Sequence, residues 1–410
     1  MPESPPAEGS LLLSCARREF DTATRESVVA LLQEGIDWTS LLASARRHNM
    51  LPLLYERLRD LDAARIPPDV LASLKGAYYT NLLRNQRLGA DLVEVVTALR
   101  REGMDVIVLK GGALARTVYR SPAQRPMIDL DLLVRQEQMA CASAVIEALG
   151  YSLSSTVPAH MAAFQHRFGY GSEWVRAREG RVTRLDLQYV LVGAHWCRGA
   201  FPVVSDALWE AARTLDLDGA AALQLSPEDT LIHLCLHLAL HHGYQGLLIG
   251  CADMDRVVSS SAPALSWTRL VERAGFFRVR TAVYYGLQCA QRLLGTPVPD
   301  EVHHALKPGR VQLRVVRALA PLTPETALDV AGTRPPGVRH ILLYAALVDR
   351  VWGVGSIVQR LLFPSREWLI ACYSLESRGQ VWFYRLVHPL RIAREFLRAL
   401  TRPLVESTLD

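Results

Sequence analysis

Between Val106 and Val134 the chain reads VIVLKGGALARTVYRSPAQRPMIDLDLLV, and this order sharply limits the folds open to it. Val106 to Leu109 form a short apolar strand that gives way to Lys110-Gly111-Gly112 and a helix-like segment. After Arg125-Pro126 a second apolar strand carries Asp129 and Asp131. Residues two apart on a strand share a face, so both carboxylates point one way while Leu130 and Leu132 point into a core. Two acids side by side repel each other and lose hydration unless a cation sits between them. The pattern predicts a divalent-metal site on a sheet; the competing reading is a pair of solvated acids on an edge strand.

A chain of 410 residues is long enough for two to three domains and a sizeable core. Its mean hydropathy of +0.10 is high, yet no window of about 18 residues is free of charged or strongly polar side chains. The nearest, Thr230 to Cys251, is interrupted by His233, His237, His241 and His242, so no transmembrane segment is expected. Residues 1–19 lack the basic-then-apolar layout of a signal peptide and read as a disordered lead-in. Seven scattered cysteines without a CxxC pair point to reduced thiols and a cytoplasmic protein. A net charge of +5 admits an anionic ligand and gives no clear nucleic-acid surface. The basic residues are nearly all arginine; Lys75, Lys110 and Lys307 are the only lysines, which singles out the one beside Gly111-Gly112. The oligomeric state is left open.

Periodicity divides the rest. Residues 20–103 read as helices, broken at Pro67-Pro68 and followed by an amphipathic run from Ala72 to Arg101 with Leu82, Leu83, Leu88, Leu92, Val95, Val96 and Leu99 on its apolar side. Residues 104–204 alternate strands and helices, with a good strand in Arg184–Leu191. Residues 205–410 read as helical, the clearest start being Ser226-Pro227-Glu228-Asp229, with Ser226 as cap and Pro227 at the first position. The expectation is an α+β chain, predominantly helical, whose small mixed-sheet core is flanked by two helical regions.

Four further features carry chemistry. Asp186, in RLDLQYVL, is placed to be a third acid on a shared sheet face, which would suit Mg²⁺ or Mn²⁺; alone, it is equally an ordinary strand-end acid. Lys110, Gly111 and Gly112 at a strand-to-helix turn could hold phosphate, although the spacing is not that of a P-loop and fits an ordinary glycine turn. Arg125 is a second phosphate anchor or a solvated loop residue. His233, His237 and His241 lie at i, i+4 and i+8 on one helix, read as a buried or pocket-lining row in preference to a zinc site. Arg391, Arg394, Arg398 and Arg402 give the last helix a basic, amphipathic character, suited to a docked surface helix or to an anionic membrane.

LKG, Tyr119, Arg125 and DLDLLV together resemble the signature of a bacterial family of uncharacterised nucleotidyltransferases, distant relatives of the polymerase-β-like superfamily often encoded among biosynthetic genes. The likeness extends to IDWTSLLASARRHNMLPLLYERL, to LSPEDTLIHLCLHLALHHGY with CADMDRVV, and to LLFPSREWLIACY, covering roughly Ile36 to Tyr373. It implies a nucleotidyltransferase core with Asp129 and Asp131 as the DxD pair and Asp186 as the third acid, all three catalytic and metal-binding. It also implies nucleotide contacts from Lys110, Gly111, Gly112 and Arg125, and places His237, His241 and Asp253 at the cleft, with Asp253 bonding a histidine. The sequence departs from the pattern where Lys110-Gly111 replaces Gly-Ser and where Gln188 replaces a histidine. The implied activity is Mg²⁺-dependent transfer of an NMP from an NTP to a hydroxyl or similar acceptor, releasing pyrophosphate. The alternatives are a non-catalytic nucleotide-binding or scaffold protein and a kinase-type phosphoryl transferase.

Overall fold

Pro68 opens a single 34-residue helix, Pro68–Arg101, at a position where its missing N–H leaves no bond unmade. In the computed structural model, which describes residues 6–61, 65–154, 171–178, 180–191, 199–203, 205–244, 248–321, 338–375 and 377–401, this helix is the backing of a mixed sheet. Leu88, Leu92, Val95, Val96 and Leu99 are buried as the periodicity predicts. One turn earlier the expectation fails. Leu83 is 51% exposed, and the buried positions are Asn81 and Asn85, whose amides are needed by a neighbouring loop.

Among the described residues the sheet has seven strands: β1 (Ile107–Val108), β2 (Leu130–Leu133), β3 (Ser152–Leu153), β4 (Gly171–Arg178), β5 (Arg181–Gln188), β6 (Arg213–Leu217) and β7 (Ala220–Gln224). Their order is β3-β4-β5-β2-β1-β7-β6, with β2–β5 and β1–β7 parallel and the other neighbours antiparallel. Leu130, Leu132, Leu185 and Leu187 point to one side and share a core with the long helix and with Ala142 and Ile146 of helix Met139–Ala148. That side is closed by apolar packing, so the carboxylates of the same strands fall on the other. The α+β architecture, mixed sheet and helical predominance agree with the sequence reading.

Two boundaries do not. The sheet continues past residue 204 to Gln224, because β6 and β7 form a hairpin whose second strand pairs with β1. Asp218 and Gly219 turn it with φ of 54° and 94°, the positive pair that a type I′ turn requires. At the other end, residues 7–16 of the supposed lead-in form a helix, Ala7–Ala16, with Leu11, Leu12, Cys15 and Ala16 fully buried. Three consecutive leucines bury enough apolar surface to dock it, and Arg256 closes its end by donating to the Ala16 carbonyl at 2.9 Å. This helix packs against helices from both helical regions, which share one core running from Leu11 to Ile357.

Ser226 caps helix Pro227–Leu240 as expected, its Oγ accepting from the Asp229 amide at 3.2 Å. Among the described residues no helix is long and apolar enough to cross a membrane. Arg402 lies outside them. Leu12→Ala should lower unfolding free energy by about 2–5 kcal/mol in a urea titration; an unchanged midpoint would contradict a docked first helix.

Candidate functional site

In the parallel pairing of β2 with β5, Asp131 stands opposite Asp186 on one sheet face. Asp129, expected on the same strand, lies in the bend just before Leu130, where the strand begins, yet it stays close enough for its charge to act on both Asp131 and Asp186. Glu173 of β4 is the register partner of Asp186 and brings another carboxylate to that face. It went unread because β4, GSEWVRAR, carries no motif; only its pairing with β5 reveals it.

Lys110 supplies the nearest positive charge, its Nζ donating to Asp131 Oδ1 at 2.7 Å. Gln188, in the place of the family's histidine, donates Nε2 to the same oxygen at 3.0 Å. Burial alone would lower the lysine's pKa, but Asp131, helped by Asp129 and Asp186, outweighs it and holds the ammonium above its ordinary value. The remaining acids are under-compensated. Burial first, and then the charge of Asp131, push Asp129 up to about 6. The same two causes, with Asp129 and Glu173 adding, push Asp186 up to about 7.

Local backbone explains how Lys110 reaches this point. The Leu109 amide bonds the Asp131 carbonyl at 3.0 Å, fixing the end of β1 beside β2. Lys110 then takes a φ of 45°, a left-handed conformation that typically costs a non-glycine residue of order 1–3 kcal/mol. The following glycines are buried in helix Lys110–Thr117. A Cβ on Gly111 would meet Met127 Cγ at 2.7 Å, and one on Gly112 would meet Val108 Cγ1 at 2.8 Å. Their absent side chains let the helix seat directly on the strands, so close packing accounts for both.

Arg125 is turned away from its expected task. Its Nε lies 2.8 and 3.0 Å from the two oxygens of Asp253, and Nη1 bonds the Pro126 carbonyl. Burial would lower its pKa, but Asp253 raises it further, so the guanidinium is firmly charged. Asp253 also accepts from Tyr119 Oη at 2.6 Å; its partners are therefore arginine and tyrosine where the resemblance implied a histidine. An arginine matches a buried carboxylate in charge, which a neutral imidazole does not. Asn81 donates to the Ala123 carbonyl at 2.7 Å, and Asn85 donates to those of Pro122 and Arg125 at 2.6 and 2.7 Å. Both asparagines thereby clamp the loop leading into Asp129.

The histidine row lies on the same side as Lys110, which shares a small cavity with His233. The His237 and His241 rings are 4.7 Å apart, and His242 Nε2 is 3.3 Å from His237 Nε2. Burial, followed by the Lys110 charge, lowers His241 to about 4 and His237 well below the ordinary range, so both are neutral at pH 7. Among the described residues no three His, Cys, Asp or Glu side chains converge tightly enough to hold an ion by themselves. That is compatible with Mg²⁺ or Mn²⁺, which takes one or two carboxylates and completes its shell with phosphate and water. Asp129, Asp131 and Asp186 are oxygen donors of that kind, and burial first, then the neighbouring carboxylates, raises Asp129 and Asp186.

Asp253→Ala would leave the Arg125 guanidinium buried without its carboxylate, a change that costs about 3–5 kcal/mol. Urea unfolding should show that loss, and Arg125→Ala in the same background should add much less than it does alone. For Asp186 the native pKa of about 7 lies above its ordinary 3.8. Its protonation stabilises the native state at low pH, and that contribution disappears as pH rises through 7. Without divalent metal, Asp186→Asn should therefore gain stability relative to the parent chain between about pH 4 and 7; a pH-independent difference in melting temperature would contradict the shift.

A structure search aligns 54% of this chain with 92% of an antigenic nucleotidyltransferase-like protein from Paracoccidioides brasiliensis, at 15% identity and a TM-score of 0.35. No residue role is carried across at that distance. No protein of curated function matches the sequence. The family profile described as "Uncharacterised nucleotidyltransferase" matches residues 34–295, a span holding every acid, the lysine and the histidine row, and the chain belongs to that family.

Proposed function

We propose that the chain transfers a nucleoside monophosphate from an NTP to a hydroxyl or similar acceptor and releases pyrophosphate, with Mg²⁺ or Mn²⁺ as cofactor. The observation that carries this reading is the pairing of Asp131 with Asp186 on one sheet face, with Asp129 close by at the start of β2 and Lys110 against them. A divalent ion held by these oxygens would supply Lewis acidity toward the phosphates. Asp186, with its raised pKa, is suited to take the proton from an acceptor hydroxyl near neutral pH. Lys110 can exchange its contact with Asp131 for an anionic phosphate oxygen, and the first amides of helix Lys110–Thr117 are further donors. Arg125 acts from behind, by holding the loop before Asp129 against Asp253.

One observation favours a second reading. Asp131 Oδ1 is already engaged by both Lys110 and Gln188, as in a protein that binds a nucleotide without turning it over. Incubation with Mg²⁺, mixed NTPs labelled at the α or γ position, and candidate acceptors separates the possibilities. Pyrophosphate with α-label on the acceptor supports nucleotidyl transfer; a nucleoside diphosphate with γ-label on the acceptor means a kinase. NTP binding without product supports the non-catalytic reading. Asp129→Ala and Asp186→Asn should each abolish transfer while leaving the circular-dichroism spectrum unchanged. Lys110→Met should reduce transfer by roughly 10–100-fold.

A further inference from the structure

The last described helix, Arg378–Thr401, has two apolar faces, and the body of the protein uses only one. On the inner face Val381 and His388 are buried. The His388 ring is tied through Nδ1 to Tyr373 Oη at 2.7 Å and through Nε2 to the Leu361 carbonyl at 2.9 Å. Tyr384 stacks on Tyr373 with ring centres 4.3 Å apart. The docking is therefore specific and fixes which side of the helix faces out.

On the outer face Trp382, Phe383, Leu386 and Leu390 are between 61% and 74% exposed. At about 100° per residue these four fall within roughly 100° of circumference, a continuous apolar stripe. Arginines border the stripe. The Arg385 guanidinium lies 5.3 Å from the Trp382 ring centre. Arg394 is exposed and has no carboxylate partner among the described residues. By sequence, 378–401 holds Arg378, Arg385, Arg391, Arg394 and Arg398 against Glu395 alone, and Glu395 pairs with Arg391 at 3.3 Å.

We propose that this outer face is a docking surface for an anionic lipid bilayer, with the helix lying in the plane of the headgroups. Tryptophan, phenylalanine and leucine on one face with arginine at the margins is the chemistry of interfacial helices, in which apolar burial and attraction to anionic lipid act together. The charge selects this occupant over a second copy of the chain. A two-fold contact between identical stripes would bring their arginine margins together with one paired glutamate each to offset them. Unlike the catalytic reading, this assignment involves none of the residues at the acid face.

The test is co-sedimentation of the full-length chain with phosphatidylcholine vesicles, with and without phosphatidylglycerol. The chain should pellet with the anionic vesicles and remain in solution with the neutral ones, and added salt should weaken binding. Trp382→Ser with Leu386→Ser should abolish pelleting, and Arg385→Gln with Arg394→Gln should weaken it by roughly tenfold. A chain that stays in solution with anionic vesicles overturns the proposal, as does equal binding by the Trp382/Leu386 variant. A dimer in sedimentation velocity that this variant converts to monomer assigns the face to a second copy and overturns it. A melting temperature lowered by the same exposed substitutions places the face against protein and also overturns it.

Discussion

The contact between Lys110 and Asp131 is the constraint around which the sheet face is arranged. Asp131, Asp186 and Glu173 share this face, with Asp129 just before β2, and packing the other face fixes the direction of the three on strands. Like charges at such separations are costly in a partly desolvated setting, and each acid must find a counter-charge or take up a proton. Arg184 pairs with Glu173 at 3.1 Å, and the Lys110 ammonium reaches Asp131 from the end of β1, where Lys110 adopts a left-handed backbone. That geometry in turn places Gly111 and Gly112 where any side chain would strike Met127 or Val108. The lysine, the strained turn and the two glycines thus solve one packing and charge problem together.

A second polar junction fastens the acid face to the helices. Arg125, Tyr119 and Asp253 form a buried cluster between the loop before β2 and helix Leu248–Ser260, and the Arg256 guanidinium stacks on Tyr119 at 4.7 Å. Arg256 also closes the first helix through the Ala16 carbonyl. The segment carrying Asp129 and Asp131 is therefore linked to the chain's N-terminal helix through a short series of buried contacts. The helical regions before and after the sheet share one apolar core.

What could be read from sequence follows the range of the interactions involved. Asp131 of β2, the Asp186 strand and the Ser226-Pro227 helix start are local patterns, and each stands where periodicity or capping puts it, whereas Asp129 falls just short of the strand. The partner of Arg125 lies 128 positions away, and nothing near either residue announces the pair. Asn81 and Asn85 were obscured because polar residues on a helix are assigned to solvent by default, whereas here they serve loop carbonyls. The β6–β7 hairpin was a different kind of miss. Its Asp218-Gly219 turn is a strong local signal, but the alanines of β7 suggest a helix, and pairing with β1 overrides that propensity. The first helix was hidden by its proline-rich and acidic flank, although its leucine run is a core-forming segment.

The histidine row completes the charge argument. Three positions on helix Pro227–Leu240 and its cap face the region of Lys110, where leucine would pack as well and arginine would double the positive charge. Buried imidazoles do neither. Burial and the nearby ammonium keep them neutral through the physiological range, so they provide hydrogen-bonding groups without changing the site's net charge. The charge at the acid face is then set by the carboxylates together with Lys110, Arg125 and the Arg184 that pairs with Glu173 at 3.1 Å. Because Asp129 and Asp186 titrate near 6 and 7, that face becomes most negative above neutrality, which is also where a divalent cation meets least competition from protons.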